Sequence, residues 1–224
     1  EDSGATVEGH DMKTDDLIGL LAQDAGPVPT RTGERRFAVA LLVGVALALA
    51  WVQGAFGIRA DLAEVVGTAV FWQKVVMPLA VAATGLVVVF RLGHPGARMN
   101  GWWLGVWLPV SLLWIWAAVV LWMAEPAARV PLVLGTTWRV CVFNVTATAL
   151  PIGVGLLWAL RGLAPTRPVL TGAAAGWLAG AVGACVYSLH CPEMGAPFVA
   201  IWYVLGMGMS AALGALAGRH WLRW

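Results

Sequence analysis

Six apolar stretches fill the chain from Phe37 to Ala217, and each runs for about 20 residues before charge, glycine or proline interrupts it. They are Phe37 to Gly57, Ala69 to Phe90, Trp102 to Met123, Arg139 to Leu160, Val169 to Leu189 and Pro197 to Ala217. At a rise of about 1.5 Å per residue, a helix of that length crosses a hydrocarbon layer of roughly 30 Å. That layer offers no water to the backbone, so a spanning segment must satisfy its own amide groups, as a helix does. The expected fold is therefore an all-α membrane protein, a six-transmembrane-helix bundle. Composition supports this where it discriminates: 60% of residues are hydrophobic and 12% charged, against roughly 45–50% and about 25% in soluble domains. The 14 tryptophans suit the two membrane interfaces. A net charge of +2 offers no basis for direct nucleic-acid contact.

Arginine and lysine collect on the cytoplasmic side of membrane proteins. If the N-terminus lies inside, that side holds ten basic residues: Lys13, Arg31, Arg35, Arg36, Arg91, Arg98, Arg161, Arg167, Arg219 and Arg223. The other side holds four, namely Arg59, Lys74, Arg129 and Arg139. The asymmetry predicts a multi-pass protein of the bacterial inner membrane with both termini cytoplasmic.

Ahead of the spans, residues 1–11 form a polar, acidic lead, read as non-native or disordered. Residues 12–36 form a recognition segment and linker, and residues 37–224 the transmembrane domain. Within Met12 to Val28, Thr14 is a helix-capping residue type, and Asp15 and Asp16 follow where the positive end of the helix dipole favours them. Leu17, Ile18, Leu20 and Leu21 make one apolar stripe, and Gly26-Pro27 ends the pattern. A helix of about ten residues is marginal alone in water and calls for a partner. Interfacial helices carry Lys and Arg on their polar face, whereas this one carries Asp, which an anionic leaflet repels.

Small residues recur every four positions in the last two spans: Gly172, Gly176, Gly180 and Ala184, then Gly206, Ser210, Gly214 and Gly218. Such stripes let helix backbones approach closely. They predict that the two helices pack on each other, with a homo-oligomer contact as the alternative. Pro78, Pro109 and Pro151 lie inside spans, where neighbouring helices can absorb them.

The sequence carries no HExxH, GxSxG, phosphate-loop or dinucleotide-binding signature, so neither an enzyme nor a cofactor is expected. A small transporter or channel is the alternative function, since polar groups in a membrane often mark a pathway. Gln53, Lys74, Thr84, Ser111, Arg139, Asn144, Thr146 and Thr148 are its candidates. Against it, Lys74 and Arg139 fall near span ends, from which long side chains reach the interface, and interfacial anchoring or hydrogen bonding within the bundle accounts for both. One loop crowds His190, Cys191 and Glu193 together; the residue types could ligate a soft metal, though the spacing fits no standard closed site.

The opening MKTDDLIGLLAQDAGPV, the six spans, Cys141 and the run Tyr187-Ser188-Leu189-His190-Cys191-Pro192-Glu193 together resemble the NrsF-type negative regulators of sigma F, a family of bacterial membrane anti-sigma factors. The resemblance implies that the cytoplasmic segment captures an extracytoplasmic-function sigma factor through Asp15, Asp16, Leu17, Leu20, Leu21, Asp24, Pro27 and Val28. It also implies that Cys141 and Cys191, as a disulfide or thiol pair, respond to a periplasmic redox or heavy-metal signal in a stress response. Without the resemblance, that pair stands evenly between a sensor and an inert structural bridge. Cys185 has no place in the pair.

Overall fold

The computed structural model describes residues 14–23, 32–94, 101–163 and 165–223, and every element among them is helical. The chain divides into two units, Glu1–Thr32 and Gly33–Trp224. The first contains helix α1 (Thr14–Gln23). Its start at Thr14 sets that residue inside the first turn rather than at the cap. Leu17 and Ile18 of the apolar stripe are exposed, as is Asp15.

The second unit is the bundle: α2 (Thr32–Ala55), α3 (Leu62–Val65), α4 (Ala69–Gly93), α5 (Trp102–Met123), α6 (Pro126–Leu134), α7 (Trp138–Arg161), α8 (Pro168–Tyr187), α9 (Ala196–Phe198), a π-helical turn (Val199–Tyr203) and α10 (Val204–Trp221). Six helical segments are long and apolar enough to cross a membrane. α2 begins ahead of Phe37 and absorbs part of the stretch read as linker. The fourth span is preceded by α6, which starts on Pro126 and stops at Gly135, whose φ of +56° ends the helix. Pro78, Pro109 and Pro151 sit inside α4, α5 and α7.

α8 is the most buried span and packs against α4, α7 and α10. Its composition explains this, because a helix built largely from Gly and Ala can be approached from several sides at once. The predicted stripes meet: a Cβ on Gly172 would strike the Gly214 carbonyl oxygen, and one on Gly176 the carbonyl of Ser210. At Gly180 the corresponding atom would come within 2.8 Å of the Met207 Cα. α2 lies on α7 by the same device, with Gly44 against the Ile152 backbone and Gly155 against the Ala40 carbonyl. Near the start of α2, Arg36 donates to the Trp158 carbonyl at 2.8 Å and stacks 3.9 Å above the Trp158 ring.

Candidate functional site

The connections after α2, before α7 and after α8 converge at one end of the bundle, and the residue types there explain why. Gly57, at φ +78°, turns the chain out of α2 and exposes its carbonyl, which receives a hydrogen bond from His190 Nδ1 at 2.8 Å. The His190 ring rests on Phe56, with centroids 5.3 Å apart. Two residues on, the Arg59 amide donates to the Leu189 carbonyl at 3.2 Å, and its guanidinium grips Asp61 through two bonds of 2.7 Å. That hydrogen-bonded pairing holds the Asp61 carboxyl below the usual carboxylate range and pushes the Arg59 guanidinium up. On the far side, Glu193 Oε1 accepts from the Thr136 amide and hydroxyl, each at 2.6 Å, and from the Thr137 amide at 3.2 Å. A side chain at Gly135 would run into the same carboxylate, 2.5 Å away.

Beneath this strap lie the two cysteines. Cys141 sits in the first turn of α7, its amide bonded to the Thr137 carbonyl at 3.0 Å. Cys191 follows α8, its amide bonded to the Tyr187 carbonyl at 3.0 Å. Both are fully buried free thiols, and they hydrogen-bond to each other. Accepting the bond from Cys141 lowers the pKa of the Cys191 thiol; burial opposes the shift and the charge of Lys74 adds to it. The structure thus brings together the two cysteines singled out from the sequence, as thiols. Cys185, half-buried on α8, is also free.

The remaining wall of the site was not legible. Of the two readings open for Lys74, interfacial anchoring and hydrogen bonding within the bundle, the structure shows the second. The lysine is 2% exposed, and its Nζ donates to the Cys191 carbonyl at 2.7 Å. Both tyrosines of the chain are here. Tyr187 OH accepts from Asn144 Nδ2 at 3.2 Å; Tyr203 OH lies 3.4 Å from Ser188 Oγ and hydrogen-bonds Cys191. Tyr203 closes the π-helical turn, a local widening of the helix that often accompanies functional sites. The concentration of the chain's only tyrosines beside Cys191 is the signal that could have found this wall.

His190 is taken by Gly57 and Glu193 by Thr136 and Thr137, and among the described residues no group of three His, Cys, Asp or Glu is arranged to hold an ion. Of the polar residues weighed as a transport pathway, Thr84, Thr146 and Thr148 donate to carbonyls four residues back in their own helices, at 3.0, 2.7 and 2.8 Å. Arg139 is exposed over Trp138, as an interfacial residue should be. In the N-terminal unit, Asp15, Asp16, Leu17, Leu20 and Leu21 lie on α1. Asp24, Pro27 and Val28 lie outside the described residues.

Comparison with known proteins completes the picture. No solved structure matches the chain significantly. It is 44% identical over 213 residues to a protein of Azospira oryzae named probable anti-sigma-F factor NrsF, covering 95% of this chain and all of that one. It is 38% identical over 216 residues to the anti-sigma-F factor NrsF of Caulobacter vibrioides, again covering 95% of this chain and the whole relative. The family model described as negative regulator of sigma F matches residues 21–224, which include all of the bundle-forming sequence, and the chain therefore belongs to the NrsF family of negative regulators of sigma F.

Proposed function

We propose that this chain is an inner-membrane anti-sigma factor that sequesters an extracytoplasmic-function sigma factor through α1 and releases it when the Cys141–Cys191 pair is oxidised or takes up a soft metal ion. The observation that carries the reading is the end-to-end likeness to two proteins named anti-sigma-F factors. The geometry supplies a means. The exposed Leu17 and Ile18 give α1 an apolar face for a groove on its partner, and Asp15 and Asp16 steer it toward a basic, DNA-handling protein.

At the periplasmic end, the cysteines join the α7 N-terminus to the loop after α8. α7 also carries Ile152, Gly155 and Trp158, on which α2 rests. A bond formed or lost at Cys141 alters how α7 sits, and α2, the element that follows α1 in the sequence, responds through backbone-to-backbone contacts that cannot yield gradually.

Pull-down in detergent tests the capture step. The intact protein is expected to retain a sigma F-type factor and a variant lacking residues 1–27 to lose it. Equal retention by both, or none by the intact protein, contradicts the reading.

A further inference from the structure

Lys74 is the one charged side chain fully buried among the described residues, and a buried ammonium is costly unless a negative charge compensates it. Its contacts supply none. Nζ donates to the Cys191 carbonyl at 2.7 Å and stands 5.6 Å from the centroid of the Tyr203 ring. Of the acids of the neighbouring loops, Asp61 neutralises Arg59 at 2.7 Å, the Glu193 carboxylate is taken by Thr136 and Thr137, and Glu64 is exposed whereas Lys74 is buried. His190 gives its Nδ1 to Gly57. The acidic groups that act favourably on Lys74 are Cys191 and Cys141, in that order. Of the two, Cys191 also receives hydrogen bonds from Cys141 and Tyr203.

We infer that Lys74 is the counter-ion of Cys191 and makes the cysteine pair asymmetric, Cys191 being the attacking sulfur and Cys141 the resolving one. The inference rests on the proposed reading only for its biological consequence; the chemistry belongs to the bundle alone. With a hydroperoxide as oxidant, the Cys191 thiolate attacks one peroxide oxygen and the O–O bond breaks. Two electrons pass from sulfur to the departing oxygen, which leaves as hydroxide or alkoxide and takes a proton from water. Cys191 is then a sulfenic acid. Cys141 sulfur attacks it, the S–O bond breaks, and hydroxide departs with the Cys141 proton as water, leaving the disulfide. Oxidation removes the Cys191 charge that faces Lys74, so the reduced arrangement around the lysine is no longer the favoured one. Cys191 is followed in the chain by exposed Pro192 and half-buried Glu193 and Met194, so the loop that carries it borders solvent.

The test uses the purified full-length protein and hydrogen peroxide. Formation of the Cys141–Cys191 bridge is followed by mass mapping across pH, and the sulfenic acid is trapped at Cys191 in a Cys141→Ser background. Lys74→Met is expected to slow bridge formation about tenfold or more near neutrality and to move its pH profile toward the ordinary thiol range near ~8.5. Lys74→Gln keeps a donor for the Cys191 carbonyl without the charge. It should behave like Lys74→Met, and it carries the test if loss of that hydrogen bond alone disrupts the loop. Lys74→Arg should stay close to the parent. A rate and profile unmoved in the neutral variants, or an Arg variant slowed as far as Met, overturns the inference. Failure of the anti-sigma reading is distinguishable: no sigma factor is captured, yet the thiol chemistry still depends on Lys74.

Discussion

Glu193 shows how much one side chain can hold at this end of the bundle. Its carboxylate satisfies the amides of Thr136 and Thr137, which precede α7 and have no helical partner of their own. Hydrogen bonds to a charged acceptor contribute about 1.5–3 kcal/mol each when buried and less when partly solvated. Glu193→Ala is therefore expected to lower stability by about 2 kcal/mol, seen as an earlier thermal transition in detergent; an unchanged transition removes the strap from the account. Asp61 supplies a pH argument. Its pKa is depressed by Arg59, so the stabilisation it brings is complete above the usual carboxylate range and is lost only as pH falls through the lowered value. The Arg59 attachment to the cysteine loop should thus be indifferent to pH near neutrality and loosen in acid; equal solvent protection of the Leu189–Arg59 bond at low and neutral pH would count against this. At this scale, Cys141 and Cys191 were legible because few thiols exist to choose from and the resemblance names two. Lys74 stayed open between the interface and the bundle interior, since hydropathy reports depth along a span but not which face of the helix turns inward.

The helices illustrate the opposite balance. The glycine stripes of α8 and α10 could be read directly, because small residues every four positions have one consequence in a lipid solvent, close backbone approach. Gly176→Ala should force the pair apart and cost on the order of 1–3 kcal/mol, since its Cβ meets the Ser210 carbonyl. Gly208→Ala, on the open side of α10 with no neighbour within 4 Å, should be neutral or gain about 0.5–1 kcal/mol through helix propensity. Equal effects from the two variants, compared by thermal denaturation, would refute the packing. α6 and the π-helical turn were not legible. A helix of nine residues that contains Pro126 and Pro131 resembles an ordinary loop in composition, and a single widened turn leaves no periodic trace in five residues. α1 was legible as an element, and its anchors are tested together. Leu20→Ala with Leu21→Ala should weaken sigma-factor capture well beyond tenfold, as truncating interface anchors typically costs on the order of 2 kcal/mol each; undiminished capture with normal membrane insertion would displace them.

For the molecule as a whole, the proposal is a division of labour: a cysteine site where the loops after α2, before α7 and after α8 meet, and a capture helix in the sequence ahead of α2. Its proposed orientation rests on the ten-to-four distribution of Lys and Arg. A single cysteine placed at Asp61 should react with an impermeant thiol reagent in whole cells and one at Gly96 should not; the reverse pattern inverts the topology. The central claim is that chemistry at Cys141 and Cys191 controls what α1 holds. It is tested most directly in vesicles reconstituted with the full-length protein, loaded with labelled sigma factor on the face that α1 occupies, and exposed to oxidant on the other. The account predicts that the parent protein sheds its sigma factor while the Cys141→Ser, Cys191→Ser double variant retains it. Equal release from both proteins, or retention by both, would contradict it.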